Sequence, residues 1–506
     1  MMNEQLTKKV LVLGIDGMDP RITKYLVDKG ELPNIKTYIE RGGCREDLVM
    51  LGIVPTITPP GWTSLATGAY PSTHGITCFW NSDPVDKSKL IYSLDSTMCK
   101  AEGVWNAAAE AGLKTLVFHW PGSSWPPTSD SPNLHVVDGV QPGFVGFGTA
   151  MKEDEVMVNA NEAVTELKFV EAGAHANTGA GCIISDVEIK EASAGAKASQ
   201  DACQNAGAAV ENIMLTLEDG EFSIENTPYD VVNAPLTAAH GWSGQIPADA
   251  KEVTILLSKG YLRRPCLVLK DESGRYETIK VYKSKKDEEP LLTLKLGELS
   301  PAVVDDILLA DGTKVSCFRA YKFFRLTEAQ DQLSIWVGRA FECDNDAVWH
   351  PKTLYKEVIE NVGYYTSASS RGGKIPFFTK ELMLPTWEAY CNWQAGCLEY
   401  FMQNERYDLI MTHLHNVDGV GHNLWPHAFP NKHTNPEDVE FNRELMIETY
   451  RQTDRYLGRF LKYIDEGWNI IITSDHGLLV EREEEPALMG DAFGVNAKVM
   501  DEMGLT

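Results

Sequence analysis

The chain has no run of about 18 apolar residues, the length a helix needs to cross a bilayer. No apolar stretch with a small-residue cleavage site precedes its first strand-like run, so no secretory signal is read at the start. Cysteine motifs are missing too. The 10 cysteines are scattered, and only Cys391 and Cys397 lie close together, at a spacing that fits no common zinc or redox motif. These absences predict a cytoplasmic protein with reduced thiols and no membrane span. Positive charge is in deficit: 46 Lys and Arg face 72 Asp and Glu, a net charge of -26. Such a surface repels polyanions and argues against long nucleic acid as a partner. A small phosphate ester remains compatible, because bound metal ions reverse the local field. No internal repeat is found. The composition is otherwise that of a globular protein, and 506 residues suffice for two or more domains.

What is present is a series of short apolar runs that end abruptly in polar loops. Trp468-Asn-Ile-Ile-Ile-Thr473 runs into Ser474-Asp475-His476-Gly477. β-branched residues bounded by a polar turn read as a buried strand. Val10 to Gly14 runs into Asp16, and Asp19 before Pro20 reads as a helix cap. Tyr407 to His413 runs into His415-Asn-Val-Asp418-Gly-Val-Gly-His422. Asp418 and His422 are four apart and share one face of a helical turn, a two-ligand grip for a metal. A long amphipathic helix is expected from Glu437 to about Ile464. Leu113 to Phe118 is a further strand, followed by His119 and Trp120, which read either as pocket residues or as a packed aromatic loop. Strands at 10–14, 113–118, 407–412 and 469–473, separated by helices, predict an α/β fold with a largely parallel sheet. In open sheets of this kind, chemistry sits beyond the carboxyl ends of the strands.

Thr58 supplies a hydroxyl. Pro59 and Pro60 force an extended backbone before them and permit a helix directly after. Thr58 is thereby set at a helix N-terminus, either as a plain cap or at an anion site. Thr63 and Thr67 fall inside that helix and read as packing residues. Asp16, Asp418, His422, Asp475, His476 and Thr58 together suit a two-metal site. There one ion would ionise the Thr58 hydroxyl, and both would neutralise phosphoryl oxygens.

Between about 150 and 380 the texture changes. Residues 153–215 are rich in Ala, Gly and Glu, and short alternating runs follow from about 250 to 338. We read residues 1–150 and 381–506 as two parts of one catalytic α/β core and 151–380 as an inserted domain, β-rich from about 250. An insertion leaving and re-entering on one face is expected to cap the site and restrict substrate size.

Four stretches in this order resemble the alkaline phosphatase superfamily, and within it the type I phosphodiesterase/nucleotide pyrophosphatase family. They are Leu13-Gly-Ile-Asp16-Gly, Thr58-Pro-Pro60 with Thr67-Gly-Ala-Tyr-Pro-Ser-Thr-His74-Gly-Ile76, Asp418-Gly-Val-Gly-His422, and Ser474-Asp475-His476-Gly477. The resemblance covers about residues 8–125 and 385–480. It implies a doubly wound core, hydrolysis of a small phosphodiester or related ester, and Thr58 as nucleophile. It also implies two divalent ions, usually zinc, with manganese as the alternative. Asp16, Thr58, Asp475 and His476 would hold one ion, and Asp418 and His422 the other. Thr58-Pro-Pro60-Gly-Trp62 lacks the cysteine and arginine of the sulfatase motif. The superfamily's manganese-dependent mutases generally use serine.

The chain departs from the family pattern twice. Phe79 stands where many members carry an asparagine toward the phosphoryl group, and Asn81, two residues on, becomes the candidate substrate contact beside His119 and Trp120. The family completes its second ion with a late histidine, and none follows His476. Either the core is incomplete at its C-terminal end, or another residue substitutes, or the Asp418 site is weak and fills last. His413, His415 and His427 are near in sequence but not at the family position. A metal-poor homologue that binds without catalysing, and a phosphomutase or phosphonate hydrolase of the same superfamily, are the alternatives to the phosphodiesterase.

Overall fold

The computed structural model describes residues 9–82, 90–138, 151–170, 214–218, 221–225, 230–309, 311–369, 371, 376–403, 406–429 and 436–478. The protein is a mixed α/β structure with several sheets. It divides into two compact units. One contains Met1–Thr149, Asp346–Gly363 and Cys391–Thr506, and the other Ala150–Asn345 and Tyr364–Tyr390.

The first unit is built on a six-stranded sheet. Its strands in chain order are β1 (Lys9–Ile15), β2 (Thr115–Phe118), β3 (Leu134–Val137), β4 (Trp349–His350), β5 (Leu409–Leu414) and β6 (Trp468–Thr473). Their spatial order is β4-β3-β2-β5-β1-β6. All neighbours pair in parallel except β4, which runs antiparallel to β3. The four apolar runs read as strands are therefore β1, β2, β5 and β6. β4, at two residues, is too short to leave a periodic signal, and β3 carries a histidine in its four residues. Leu11, Leu13 and Ile15 of β1 are fully buried, as a central parallel strand requires.

Three helices carry the loops that matter. α1 (Pro20–Asp28) is capped by Asp19, whose carboxylate accepts from the amides of Arg21 and Ile22. α2 (Thr58–Thr67) begins at Thr58 itself, with Ile57 in the capping position. α3 (Asn416–Ala428) follows β5 directly and holds Asp418 and His422. The amphipathic helix expected to about Ile464 is shorter: it spans Pro436–Gly458, and a separate turn of helix covers Leu461–Asp465. Gly458, a poor helix former, marks the break.

The second unit is mostly antiparallel. Its sheets among the described residues are two of five strands, one of four strands and a two-stranded hairpin of Met214–Glu218 with Glu221–Glu225. The two five-stranded sheets share one core, with Val158, Val232, Ile255, Cys266, Ile279 and Ile335 at its centre. One pairing departs from the expected antiparallel pattern: Asp230–Pro235 runs parallel to Val156–Asn161. No helix among the described residues is long and apolar enough to cross a membrane.

Candidate metal centre

β1 lies between β5 and β6, so three parallel strands end side by side. Ile15 is level with Leu414, and Gly14 with Thr473. The loops just beyond bring Asp16, His415 and Asp475 together from positions hundreds of residues apart. Gly17 turns the first loop with φ +67°, and a Cβ there would meet the Asp418 side chain at 2.9 Å. Glycine is therefore needed twice over, for the left-handed backbone and for the approach of Asp418. A Cβ at Gly61, in the first turn of α2, would lie 2.7 Å from Asp475 Cβ. The helix that carries Thr58 reaches the site only because that position has no side chain.

Two nests of ligand atoms share Asp16. In the first, Asp16, Asp475 and His476 each offer one atom, all within 4.8 Å of one another. His476 Nε2 lies 3.5 Å from Asp16 Oδ1, 3.2 Å from Asp475 Oδ2 and 3.2 Å from Thr58 Oγ1. His476 Nδ1–H donates to the Gly477 carbonyl at 2.9 Å. In the neutral ring that bond leaves the Nε2 lone pair facing Thr58. Thr58 stands at the positive end of a 10-residue helix. Pro59 and Pro60 remove two amide donors such an end usually offers, so the dipole and any bound cation remain as anion attractors.

In the second nest, Asp16 Oδ2 receives two imidazoles, His413 Nε2 at 3.0 Å and His415 Nδ1 at 2.9 Å. The three residues meet the same 4.8 Å test. His415 Nε2 lies 3.5 Å from Asp418 Oδ2, and His422 Nε2 lies 3.2 Å from the same oxygen. Sequence reasoning missed His413 and His415 as partners of Asp16. The signal was a His-x-His spacing astride a strand end.

The electrostatics ask for a cation. Asp16 and Asp418 are buried, and Oδ1 of each accepts no hydrogen bond. Such orphaned oxygens are costly unless something compensates them. Burial, followed by the charges of Asp16 and Asp418, pushes the Asp475 carboxyl well above its usual range. Burial works against ionisation of Asp16 too, but hydrogen bonds from His413 and His415 outweigh it and hold that carboxyl well below the usual range. The Asp418 carboxylate raises the His422 imidazole. Burial lowers His413 despite its bond to Asp16, whereas the same neighbour wins over burial and raises His415. Carboxylates and imidazoles crowded around unsatisfied oxygens fit divalent metal ions such as zinc.

The other sequence candidates are placed differently. His119 is fully buried and stacks on Phe118, with ring centroids 4.2 Å apart. Burial, with His413 nearby, pushes its pKa down to about 3. Trp120 is also fully buried, edge-on to Trp62 at 4.8 Å. Both sit in a packed aromatic cluster. Asn81 pairs through its backbone with Ile91, and its side chain lies outside the described residues. His74 is structural: its Nδ1 accepts from the Ile76 amide, and its Nε2 meets Ser64 Oγ at 3.0 Å.

Parts of the chain are similar to known proteins. The chain is 32% identical over 123 residues to ectonucleotide pyrophosphatase/phosphodiesterase family member 1 of Homo sapiens, which is 23% of this chain and 13% of that protein. It is 31% identical over 120 residues to an uncharacterized pyrophosphatase/phosphodiesterase of Schizosaccharomyces pombe, 22% of this chain and 24% of that one. The chain thus spans less than a quarter of the length of either relative. Phosphonoacetate hydrolase from Sinorhizobium meliloti 1021, solved with phosphonoformate, aligns at 25% identity over 22% of this chain and 27% of that chain, with a TM-score of 0.20, an overlap too slight to carry an argument. The model of the type I phosphodiesterase/nucleotide pyrophosphatase family matches residues 10–173 and 345–501, most of the first unit and well over half of the sequence, and the chain belongs to that family.

Proposed function

We propose that the protein is a metal-dependent hydrolase of small phosphodiesters or related phosphate esters, with Thr58 as nucleophile. The observation that carries this is the position of Thr58 Oγ1, at a helix N-terminus and 3.2 Å from His476 Nε2, beside the Asp16–Asp475–His476 nest. Asp16, Thr58, Asp475 and His476 would hold one ion, and Asp418 and His422 belong to a second. Zinc fits the donor set, and manganese is the alternative. Divalent ions here would lower the pKa of a hydroxyl and neutralise phosphoryl charge. Thr58 Oγ1 attacks phosphorus and the alcohol or phosphate leaving group departs. The Thr58 proton leaves with the departing group, and the rest of the ester stays on Thr58 as a threonine phosphodiester. Water then cleaves that Thr58–phosphorus ester, releasing the phosphomonoester and regenerating the hydroxyl. The α2 dipole stabilises the negative charge gathered at its end.

The six-stranded sheet is, in this reading, the doubly wound core of the family. Asn81 is the remaining candidate for a substrate contact, and selection among esters is assigned in this reading to the β-rich unit. A cytoplasmic location with reduced thiols is part of the same proposal.

The test is paired. Purified protein is assayed for zinc and manganese by elemental analysis and for hydrolysis of a chromogenic aryl phosphodiester. Bound metal with turnover that a chelator removes and added metal restores is the expected result. Metal-free protein that stays inert after loading would overturn the proposal and favour the binding homologue.

A further inference from the structure

Among the described residues, Asp418 and His422 would give an ion two protein ligands, one fewer than catalytic zinc usually keeps, which leaves room for a third. We propose that His415 is that third ligand, through Nε2, and that its contact with Asp16 ties the two ion sites together. The inference rests on the two-ion reading above.

Four observations carry it. The first is distance. Zinc ligands lie about 2.0–2.1 Å from the metal, so tetrahedral ligands sit about 3.3 Å from one another. Asp418 Oδ2 lies 3.5 Å from His415 Nε2 and 3.2 Å from His422 Nε2. Two edges of a coordination polyhedron are therefore already drawn around one oxygen. The His422 side chain is 72% exposed, so its ring can turn to close the third edge at little packing cost.

The second is the other nitrogen. His415 Nδ1 lies 2.9 Å from Asp16 Oδ2. A carboxylate on one ring nitrogen fixes the proton there, orients the ring, and leaves a more basic lone pair on the other. That lone pair, on Nε2, points to Asp418. Metal-ligating histidines adopt this arrangement as a rule.

The third is that the imidazole is not spent on the helix. His415 occupies the capping position of α3, yet its side chain makes no capping hydrogen bond. The fourth is demand. Asp418 Oδ1 is buried and accepts no hydrogen bond, so the carboxylate has capacity left for an ion. His413 is distinct. Its Nε2 lies 3.0 Å from Asp16 Oδ2, which makes it a positioning residue for Asp16.

The experiment reads metal rather than turnover. Wild type, His415→Ala, His415→Gln, His422→Ala and His413→Ala are dialysed against buffered free zinc and analysed for zinc per chain. Cobalt-loaded samples are followed by visible absorption, and circular dichroism checks the fold. Wild type is expected to hold two ions. Both His415 variants and His422→Ala are expected to hold one, with the second ion weakened about 100-fold or more and its share of the cobalt absorption lost. His413→Ala is expected to hold two. The glutamine variant retains a donor to Asp16 and covers the case in which the alanine variant fails to fold. Two ions in wild type and two in the His415 variants would overturn the role of His415 while leaving the two-ion site standing. One ion in wild type, unchanged in the His415 variants, would overturn the same role. No ion in wild type would overturn the parent reading itself.

Discussion

In the second unit, Asp305 is buried against Arg264, with Arg264 Nε at 3.0 Å and the Tyr321 hydroxyl donating to Oδ2 at 2.7 Å. Nearby, Arg319 Nη1 meets Glu153 at 2.8 Å. In the first unit, Asp16, Asp418 and Asp475 are buried against His413, His415, His422 and His476. Both regions hide carboxylates, but they differ in counter-charge. Guanidinium is permanently charged and matches a carboxylate in geometry. Asp305, which accepts from Arg264 and Tyr321, is already satisfied and holds the fold in one arrangement. Imidazole gives up its proton near neutral pH and exposes a lone pair. A carboxylate paired with imidazoles is left ready for something else to bind. The choice of partner therefore separates a fixed cluster from a reactive one more clearly than burial does.

The largest expected effect breaks the reactive cluster without touching stability. Thr58→Ala should lower phosphodiester turnover by about 10³-fold or more, as loss of a nucleophile does. Its unfolding free energy in denaturant should stay within about 0.5 kcal/mol of wild type. Retained turnover would mean another group attacks phosphorus. Thr63, buried beside Ser123, is the control whose alanine variant keeps turnover.

Next, Arg264→Met breaks the fixed cluster. Removing one partner of a buried pair costs about 3–5 kcal/mol, which chemical unfolding should show as destabilisation of the second unit. Zinc per folded chain should not change. An unaltered unfolding curve would show that Asp305 is satisfied without its arginine.

Gly61→Ala probes how closely α2 approaches the reactive cluster. The added methyl must displace Asp475 or the helix, at a cost of about 1–3 kcal/mol. Weaker metal binding at the Asp16 site should accompany it, measured by calorimetric titration. Unchanged affinity would mean that α2 shifts and leaves Asp475 in place.

The smallest effect has the opposite sign. Asp475 has its folded pKa raised. The folded state therefore binds more protons than the unfolded chain between the unfolded value of about 3.9 and the folded one, and stability falls as pH rises through that window. Asp475→Asn should remove this loss and stabilise metal-free protein at neutral pH, with little gain at pH 4. Urea unfolding at both pH values, with chelator, checks this. A destabilised variant at neutral pH would show that the ionised carboxylate is not under strain.

The parts of this design that sequence reveals are those with a local cause. β1, β5 and β6 are apolar runs with polar stops, so Asp16, Asp475 and His476 are legible as strand-end residues. Asp418 and His422 are legible from helical spacing alone. His413 reads only as a nearby histidine, because within an apolar strand it looks like a boundary rather than a partner of a residue 397 positions away. His415 was noticed as a nearby histidine, yet only the register of β5 beside β1 shows that it faces Asp16. His119 leaves two readings open in the sequence, a pocket or a packed aromatic loop, and the structure packs it among aromatics. The parallel pairing of Val156–Asn161 with Asp230–Pro235 is likewise a long-range choice. It spans an Ala- and Gly-rich stretch that carries no periodic signal.

Asp16 is a single side chain with one oxygen in each nest. An ion drawn to Oδ1 withdraws electron density from Oδ2, and with it alters the hydrogen bond that orients His415. Whatever factor the first ion applies to the affinity of the second, the second applies equally to the first, because the coupling free energy between two binding events is reciprocal. Two sites joined through one carboxylate would fill as a cooperative or an antagonistic pair, and the sign can be read from the shape of a single titration curve.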